Sequence, residues 1–387
     1  YGLTPALLSE VPEAGQPDLL ITVDNGIASN AGIAVARQRG MKVLVTDHHL
    51  PGEALPIANA IVNPNQAGDD FPSKHLAGVG VCFYLLLGLR QYLREQGWFE
   101  QQAIPEPNLM HLLDLVALGT VADVVKLDRL NRTWVMLGIA RIKAGRACAG
   151  ITALMRVAGK DSTQCTSSDM GFAIGPRLNA AGRLENMALG IETLLTNDAS
   201  VALSLATQLD DINQQRRDVE QTMQDDALVQ LAGISFENDT LPLAYCLYDP
   251  AWHQGVVGLL ASRIKEKQHR PVIAFAPSSE TEIKGSARSI PGVHIRDVLA
   301  LVANQAPDIL THFGGHAMAA GVTIDVVNLP EFHRHFLSAM DRLVDPSSLN
   351  KQRLSDGELD NHDMTVSLAE QLTHVAPWGQ GFPEPQF

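Results

Sequence analysis

A chain of 387 residues with 45% hydrophobic and 19% charged residues is long enough for more than one core, and its composition excludes a disordered or fibrous protein. A formal net charge of −14 excludes nucleic-acid binding by bulk charge. The balance reverses only locally, over Trp252–Arg296, where Arg263, Lys265, Lys267, Arg270, Lys284, Arg288 and Arg296 stand against Glu266, Glu280 and Glu282.

In chain order, "DLLITVD" (Asp18–Asp24) is predicted as a buried strand. "NAGIAVARQRG" (Asn30–Gly40) is a helix with an Asn cap and a Gly stop, and "KVLVTD" (Lys42–Asp47) is the next strand. Strand, helix and strand make a βαβ unit, hence a parallel sheet, and ligands of such sheets collect beyond the carboxyl ends of the strands. Asp24 and Asp47 both fall there. "GVGVCFYLLLGL" (Gly78–Leu89) is the most apolar stretch and falls short of the roughly 20 residues of a membrane span. No signal peptide precedes it, and the four cysteines (Cys82, Cys148, Cys165, Cys246) form no CxxC pair, so a reduced, cytoplasmic protein away from membranes is expected.

Helices are predicted over Val79–Arg94, Leu109–Leu118, Asn131–Ala144 and the polar stretch Ala199–Leu231. The last has the charge density of a connector between domains, or equally of a solvated bundle flank. Strand signals return at "LPLAYCLYD", followed by a helix over Val256–Lys267 and strands at "RPVIAFA" and "KGSARS". The expected fold class is α/β: a parallel-sheet domain with a helical insert, a long connecting helix and a smaller α/β domain.

Three segments place acids or histidines at the ends of apolar runs: "ITVDNG" (Asp24), "VTDHH" (Asp47, His48, His49) and "ALGTVADVV" (Asp123). A carboxylate leaving a buried strand beside a Gly turn can bind a hard cation, although any one such Asp is more often a cap or turn former. Because alternate strand residues point oppositely, His48 and His49 need not share a role. Oxygen donors with one imidazole suit Mn²⁺ or Mg²⁺ better than zinc. "GPRLNAAGR" offers Arg177, Asn179 and Arg183, either for bidentate phosphate contacts or as ordinary solvated side chains. In "WHQGVVG", Gly255 and Val256 open a helix whose N-terminus can hold an anion, whereas His253 alone is also consistent with a packed loop histidine. "KGSARS" and "FGGHAMAAG" add Ser286, Arg288, Gly315 and His316, glycines allowing close backbone approach to phosphate; a GGH turn alone is commonly only a turn.

The ordered set "VDNG", "TDHHLPG", "GTVADVV", "GFAIGPRLNAAGRLENM", "WHQGVVGLLASRIKE", "GSARSIPGVHIRDVL" and "FGGHAMAAG" resembles the DHH phosphoesterase superfamily over nearly the whole chain, and in particular its single-stranded-DNA exonucleases. The resemblance implies a metal-dependent 5′→3′ exonuclease of recombination and repair that releases mononucleotides from DNA threaded between two domains. Asp24, His48 and Asp123 would be metal ligands, Asp24 bridging two ions. Asp47 would orient the site and His49 would sit near the substrate phosphate, both counted as catalytic. Arg177, Asn179, Arg183, His253, Ser286, Arg288, Gly315 and His316 would contact DNA. Implied partners are single-stranded DNA, single-strand-binding protein and a helicase.

The same resemblance implies a DHH catalytic domain over residues 1–160, a helical region and connector over 161–235, a DHHA1 substrate-binding domain over 236–345, and the start of an OB-fold over 346–387. A first-strand motif, D-x-D-A-D-G in pattern, is expected upstream of Tyr1, so a two-metal site is expected only in a longer protein. Two rival readings stay open: a small-substrate phosphodiesterase acting on oligoribonucleotides or cyclic dinucleotides, and an inactive nucleic-acid-binding fragment. Aromatic residues make up only 5%, so phosphate and sugar contacts are expected to outweigh base stacking.

Overall fold

Short runs of Leu, Ile, Val and Thr separated by a helical repeat produce the first sheet. In the computed structural model, which describes residues 2–12, 14–232, 242–352 and 354–387, strands β1 (Leu19–Val23), β2 (Lys42–Thr46) and β3 (Ala60–Val62) pair in parallel in that order. Val23 sits opposite Thr46, and Thr46 opposite Val62, so the carboxyl ends of the strands are level. The crossover helix Asn30–Gln38 buries Ile33 and Ala36 with Met41, Val43 and Val45.

Two expectations change in detail. The helix cap is Ser29 rather than Asn30, and Ser29 makes no side-chain capping bond; the Asn30 amide instead donates to the carbonyl of Ala54 (3.3 Å). The Gly stop stands, with Gly40 at φ +87° one residue past the C-cap. β1 is predicted from the sequence as a buried strand, yet Leu19, Ile21 and Val23 are each about half exposed, while Thr22 is buried. The burial alternates along the strand: Leu20 packs on the core of Ile33 and Ala36 and Thr22 is buried, whereas Leu19, Ile21 and Val23 lie on the opposite, open face.

The apolar run after β3 is the helix Gly78–Glu95, which packs with Leu113–Ala122 and Arg129–Lys143 around Phe83, Leu113, Val116 and Trp134. Among the described residues no helix is long and apolar enough to cross a membrane. The 34-residue helix Ala199–Ala232 is the long connecting helix.

A second sheet has the order β4 (Tyr245–Tyr248), β5 (Val272–Pro277), β6 (Glu282–Arg288), β8 (Ala319–Asp325), β7 (His312–Gly315). β4 and β5 are parallel and the remaining pairs antiparallel. Residues Val272 to Ala276 of β5 are fully buried; Val272, Ala274 and Ala276 share one core with helix Val257–Gln268, and Ile273 and Phe275 face the other. The opposite core stacks Phe332 on Phe336 (5.8 Å) and sets Phe275 edge-on to Phe332 (5.5 Å).

The chain falls into two compact units, Tyr1–Leu178 with Ala188–Gln208 and Ser355–Phe387, and Asn179–Met187 with Leu209–Leu354. The boundary expected between residues 235 and 236 lies outside the described residues.

Phe332 is fully buried at the centre of the aromatic cluster. Phe332→Ala is expected to lower the stability of the second unit by about 3–5 kcal/mol, read as a lower urea midpoint. A loss under roughly 1 kcal/mol would mean that Phe275 and Phe336 collapse into the space.

Candidate metal centre

The backbone N–H of Asp24 donates to the carbonyl of Thr46, and that of Asp47 to Val62 (3.0 and 3.1 Å), so the ladder runs one residue past each strand before releasing its acid. Asp24 then adopts φ +62°, a left-handed conformation that Asp tolerates better than most residues. Asp123 arrives differently. It is the C-cap of helix Leu113–Ala122, so the apolar run before it is helical and not the buried strand assumed for such carboxylates. Val124 follows at φ +59°, a strained conformation for a β-branched residue, at the point where the chain turns away.

Asp47 is 1% exposed and fully engaged. Its Oδ2 accepts from the N–H of Ile27 (2.9 Å); its Oδ1 accepts from the N–H groups of His48 (2.7 Å) and His49 (3.1 Å) and lies 2.7 Å from His49 Nδ1. Burial opposes its ionisation, but the bonds from Ile27, the His49 ring and the two histidine N–H groups outweigh it and hold the carboxyl below its ordinary value. An ionised Asp47 requires the proton on His49 Nδ1, leaving Nε2 with its lone pair.

Since β2 ends at Thr46, the alternation of strand side chains does not reach the histidines. The two rings lie together, centroids 4.5 Å apart. His48 Nε2 is 3.0 Å from Asp24 Oδ1 and 3.4 Å from Asp123 Oδ2. Burial disfavours the imidazolium, but the Asp24 carboxylate, then the charges of Asp123 and Asp47, raise its pKa above the ordinary value. Asp123 is itself raised, first by burial, with His48 offsetting and Asp24 adding to the shift.

Asp24 Oδ1 and His48 Nε2 are buried and close, yet neither has a partner in hydrogen-bonding geometry. Two buried polar atoms 3.0 Å apart, attracted by charge when His48 is protonated but not aligned for a hydrogen bond, fit a shared cation, since each then lacks a well-made bond. Two carboxylates and an imidazole are the donor set for Mn²⁺ or Mg²⁺. His49 also falls in range: Asp24, His48 and His49 each offer a donor atom within 4.8 Å of the others.

Three residues carry no motif in the sequence yet shape the centre. Gly78 starts the helix Gly78–Glu95 directly against Asp24, where an added Cβ would lie 2.6 Å from Asp24 Cβ and 2.7 Å from its Cγ. Asn63, 2% exposed, donates to the carbonyl of His49 (2.9 Å), and Asn65 donates to that of His48 (2.5 Å). The Asn-Pro-Asn run after β3 was the one signal available for the last two.

The remaining sequence-derived residues lie elsewhere. Arg177, 8% exposed, sits in the first unit and donates from Nη1 to the carbonyl of Ala173 (2.7 Å), while Asn179 is exposed in the second. Within the second unit, Arg183 donates to the carbonyl of Gly255 (3.3 Å), and His253 Nδ1 accepts from the N–H of Gly255 (3.1 Å), the loop role that its sequence also allowed. The helix begins at Val257, two residues after Gly255. Arg288 lies over its first turn, 2.9 Å from where a Cβ on Gly258 would be, and burial, then the neighbouring Arg183 charge, lowers its pKa. Ser286 lines a groove of about 320 Å³ with Lys284, His312 and Gly314. Gly315, at φ +144°, and His316 form the β7–β8 turn, closed by the His316 N–H donating to Ala319. Of the basic stretch seen in the sequence, Arg263 pairs with Glu220 (3.1 Å) and Arg270 donates to the carbonyls of Pro242 and Leu349, so both serve the fold.

Residues 3–120 match the DHH family N-terminal domain, and residues 240–344 match the DHHA1 domain. The chain is 52% identical over all its 387 residues to the single-stranded-DNA-specific exonuclease RecJ of Dickeya dadantii, covering 67% of that protein, and 51% identical to RecJ of Escherichia coli, again covering 67%. The chain belongs to the RecJ family. Among solved structures, RecJ of Thermus thermophilus in complex with Mn²⁺ superposes with a TM-score of 0.78 at 33% identity, over 95% of this chain and 51% of that one. An exonuclease RecJ bound to manganese gives 0.70 at 33% identity, over 90% and 81%. The chain thus spans about two thirds of the curated RecJ proteins and half of the Thermus structure.

Gly78→Ala is expected to push the Asp24 carboxylate out of place and weaken Mn²⁺ binding by about 10–100-fold in calorimetry, with the far-ultraviolet circular dichroism unchanged. Binding should also depend on pH. A divalent ion must displace the proton from His48 Nε2, whose pKa is raised, so affinity should fall about tenfold per unit as pH drops below that value and level off above it. A flat profile from pH 5 to 8 would remove His48 from the ligand set.

Proposed function

We propose that this chain carries the catalytic part of a divalent-metal-dependent 5′→3′ exonuclease that degrades single-stranded DNA to mononucleotides in recombination and repair. The observation that carries this reading is the approach of both Asp24 and Asp123 to His48 Nε2, at 3.0 and 3.4 Å, with Asp24 Oδ1 and His48 Nε2 buried and out of hydrogen-bonding geometry. The names and bound metals of its RecJ relatives support the substrate class and the choice of Mn²⁺ or Mg²⁺.

Asp24, His48 and Asp123 hold the metal in this proposal. Bound there, a divalent cation supplies a nucleophile from water at neutral pH and neutralises charge on the phosphodiester. These three residues would hold one ion, and a second would need further oxygen donors besides Asp24. Asp47 is the orienting acid: its ionised carboxylate fixes the His49 tautomer so that Nε2 faces the reacting phosphate. Arg183, Ser286 and Arg288 provide the anion-binding part, where like guanidinium charges over a helix N-terminus await phosphate. Arg177, Asn179, His253, Gly315 and His316 complete the DNA contacts. With few aromatics, the enzyme reads backbone and little sequence.

The same reading divides the chain into a DHH domain (1–160), a helical connector region (161–235), a DHHA1 domain (236–345) and the start of a further domain (346–387). It places the protein in the cytoplasm, with single-strand-binding protein and a helicase as partners on DNA.

Asp123→Ala should lower Mn²⁺-dependent digestion of a 5′-labelled oligonucleotide by at least about a hundredfold, a loss that residues behind the ligands already reach. Near-normal digestion would sink the metal role. The same assay run on a dinucleotide separates the substrate classes: preference for the dinucleotide over a long strand would mark a small-substrate phosphodiesterase instead.

A further inference from the structure

Asp24 and Asp123 are 99 positions apart in a chain of 387 residues, and their carboxylates must keep a set spacing around His48. One fully buried carboxamide ties the chain segments next to them. Asn131, 0% exposed in helix Arg129–Lys143, donates from Nδ2 to the carbonyl of His75 (2.7 Å) and to that of Lys126 (2.9 Å). His75 is three residues before Gly78, the residue packed against Asp24; Lys126 is three residues after Asp123. Both neighbours are carbonyls, which accept only, so the amino end of the carboxamide must face them. A second strut runs parallel to the first. Ser73 donates to Asp128 Oδ2 (2.5 Å), and Asp128 Oδ1 accepts from the backbone N–H of Asn131 (3.0 Å), capping the helix. Asn131 Oδ1 is buried with no hydrogen-bond partner, a cost borne while both amide protons are spent on this link.

We infer that Asn131 is a positioning residue of the metal centre, a yoke that sets the separation of the Asp24 and Asp123 carboxylates by tying the segment leading to Gly78 to the segment leaving Asp123. This rests on the metal-centre reading of the proposed function. Loss of the yoke lets the connector after Asp123 relax, as the strained Val124 at φ +59° favours, and the donors no longer meet on one ion. The helix itself keeps its cap, because Asp128 accepts from the Asn131 main chain whatever the side chain.

The test is Asn131→Asp, which keeps shape and volume but presents a carboxylate to two carbonyl oxygens. Mn²⁺ binding is measured by calorimetry on metal-free protein, with thermal unfolding in chelator alongside and nuclease rates taken against Mn²⁺ concentration. The inference expects Mn²⁺ affinity to fall 10–100-fold, with kcat recovering as Mn²⁺ is raised. Unchanged Mn²⁺ affinity in a folded variant, with only the unfolding temperature lowered, would make Asn131 a merely structural residue and overturn the inference. Should the variant not fold, Ser73→Ala removes the parallel strut alone: weakened Mn²⁺ binding supports the yoke, and wild-type binding overturns it. Asp24→Asn separates the two readings, since wild-type Mn²⁺ uptake by that variant would refute the metal centre itself.

Discussion

A buried carboxylate saturated with hydrogen bonds holds the end of the first sheet together. Asp47 has almost no contact with water, and a bare charge there would be strongly disfavoured. Three backbone N–H groups and one ring nitrogen make up for the lost hydration and keep it ionised. In doing so it binds the turn after β1, through Ile27, to the turn after β2. The chain leaves both strands in a defined direction as a result, and Asp24 and His48 come to face each other.

The centre is built in layers around that anchor. Asn63 and Asn65 hold the carbonyls of the two histidines from the loop after β3, and Asn131 holds those of His75 and Lys126 from a helix. Carboxamides suit this work because they donate to main-chain carbonyls without adding charge near a site already crowded with acids. The donors themselves stay partly exposed, Asp24 by 49% and Asp123 by 35% of the side chain, which leaves a path for substrate. Rigidity thus sits behind the site and access in front of it.

Local charge departs from the overall balance of −14. Acids dominate the candidate metal centre. In the second unit Glu220 takes up Arg216 and Arg263, while burial and the nearby Arg183 charge disfavour the charge of Arg288. Two like cations over a helix start are tolerable in proportion to the anion they attract.

The sequence by itself determined the α/β class, the βαβ order of the first sheet, the long connecting helix and the chemistry of the "DHH" run, since hydrophobic period and residue type report local burial and ligand capacity. Only the tertiary structure decided that β1 is half exposed, that Asp123 leaves a helix, that His48 and His49 share one side, that Arg177 is buried, that Gly78 packs against Asp24, and that Asn131 ties the segments next to the two acids. Each of these is a contact between segments far apart in the chain. Local pattern shows which face of an element is apolar, but which distant residue meets that face is set by packing, where a single methyl group at Gly78 would displace the Asp24 carboxylate.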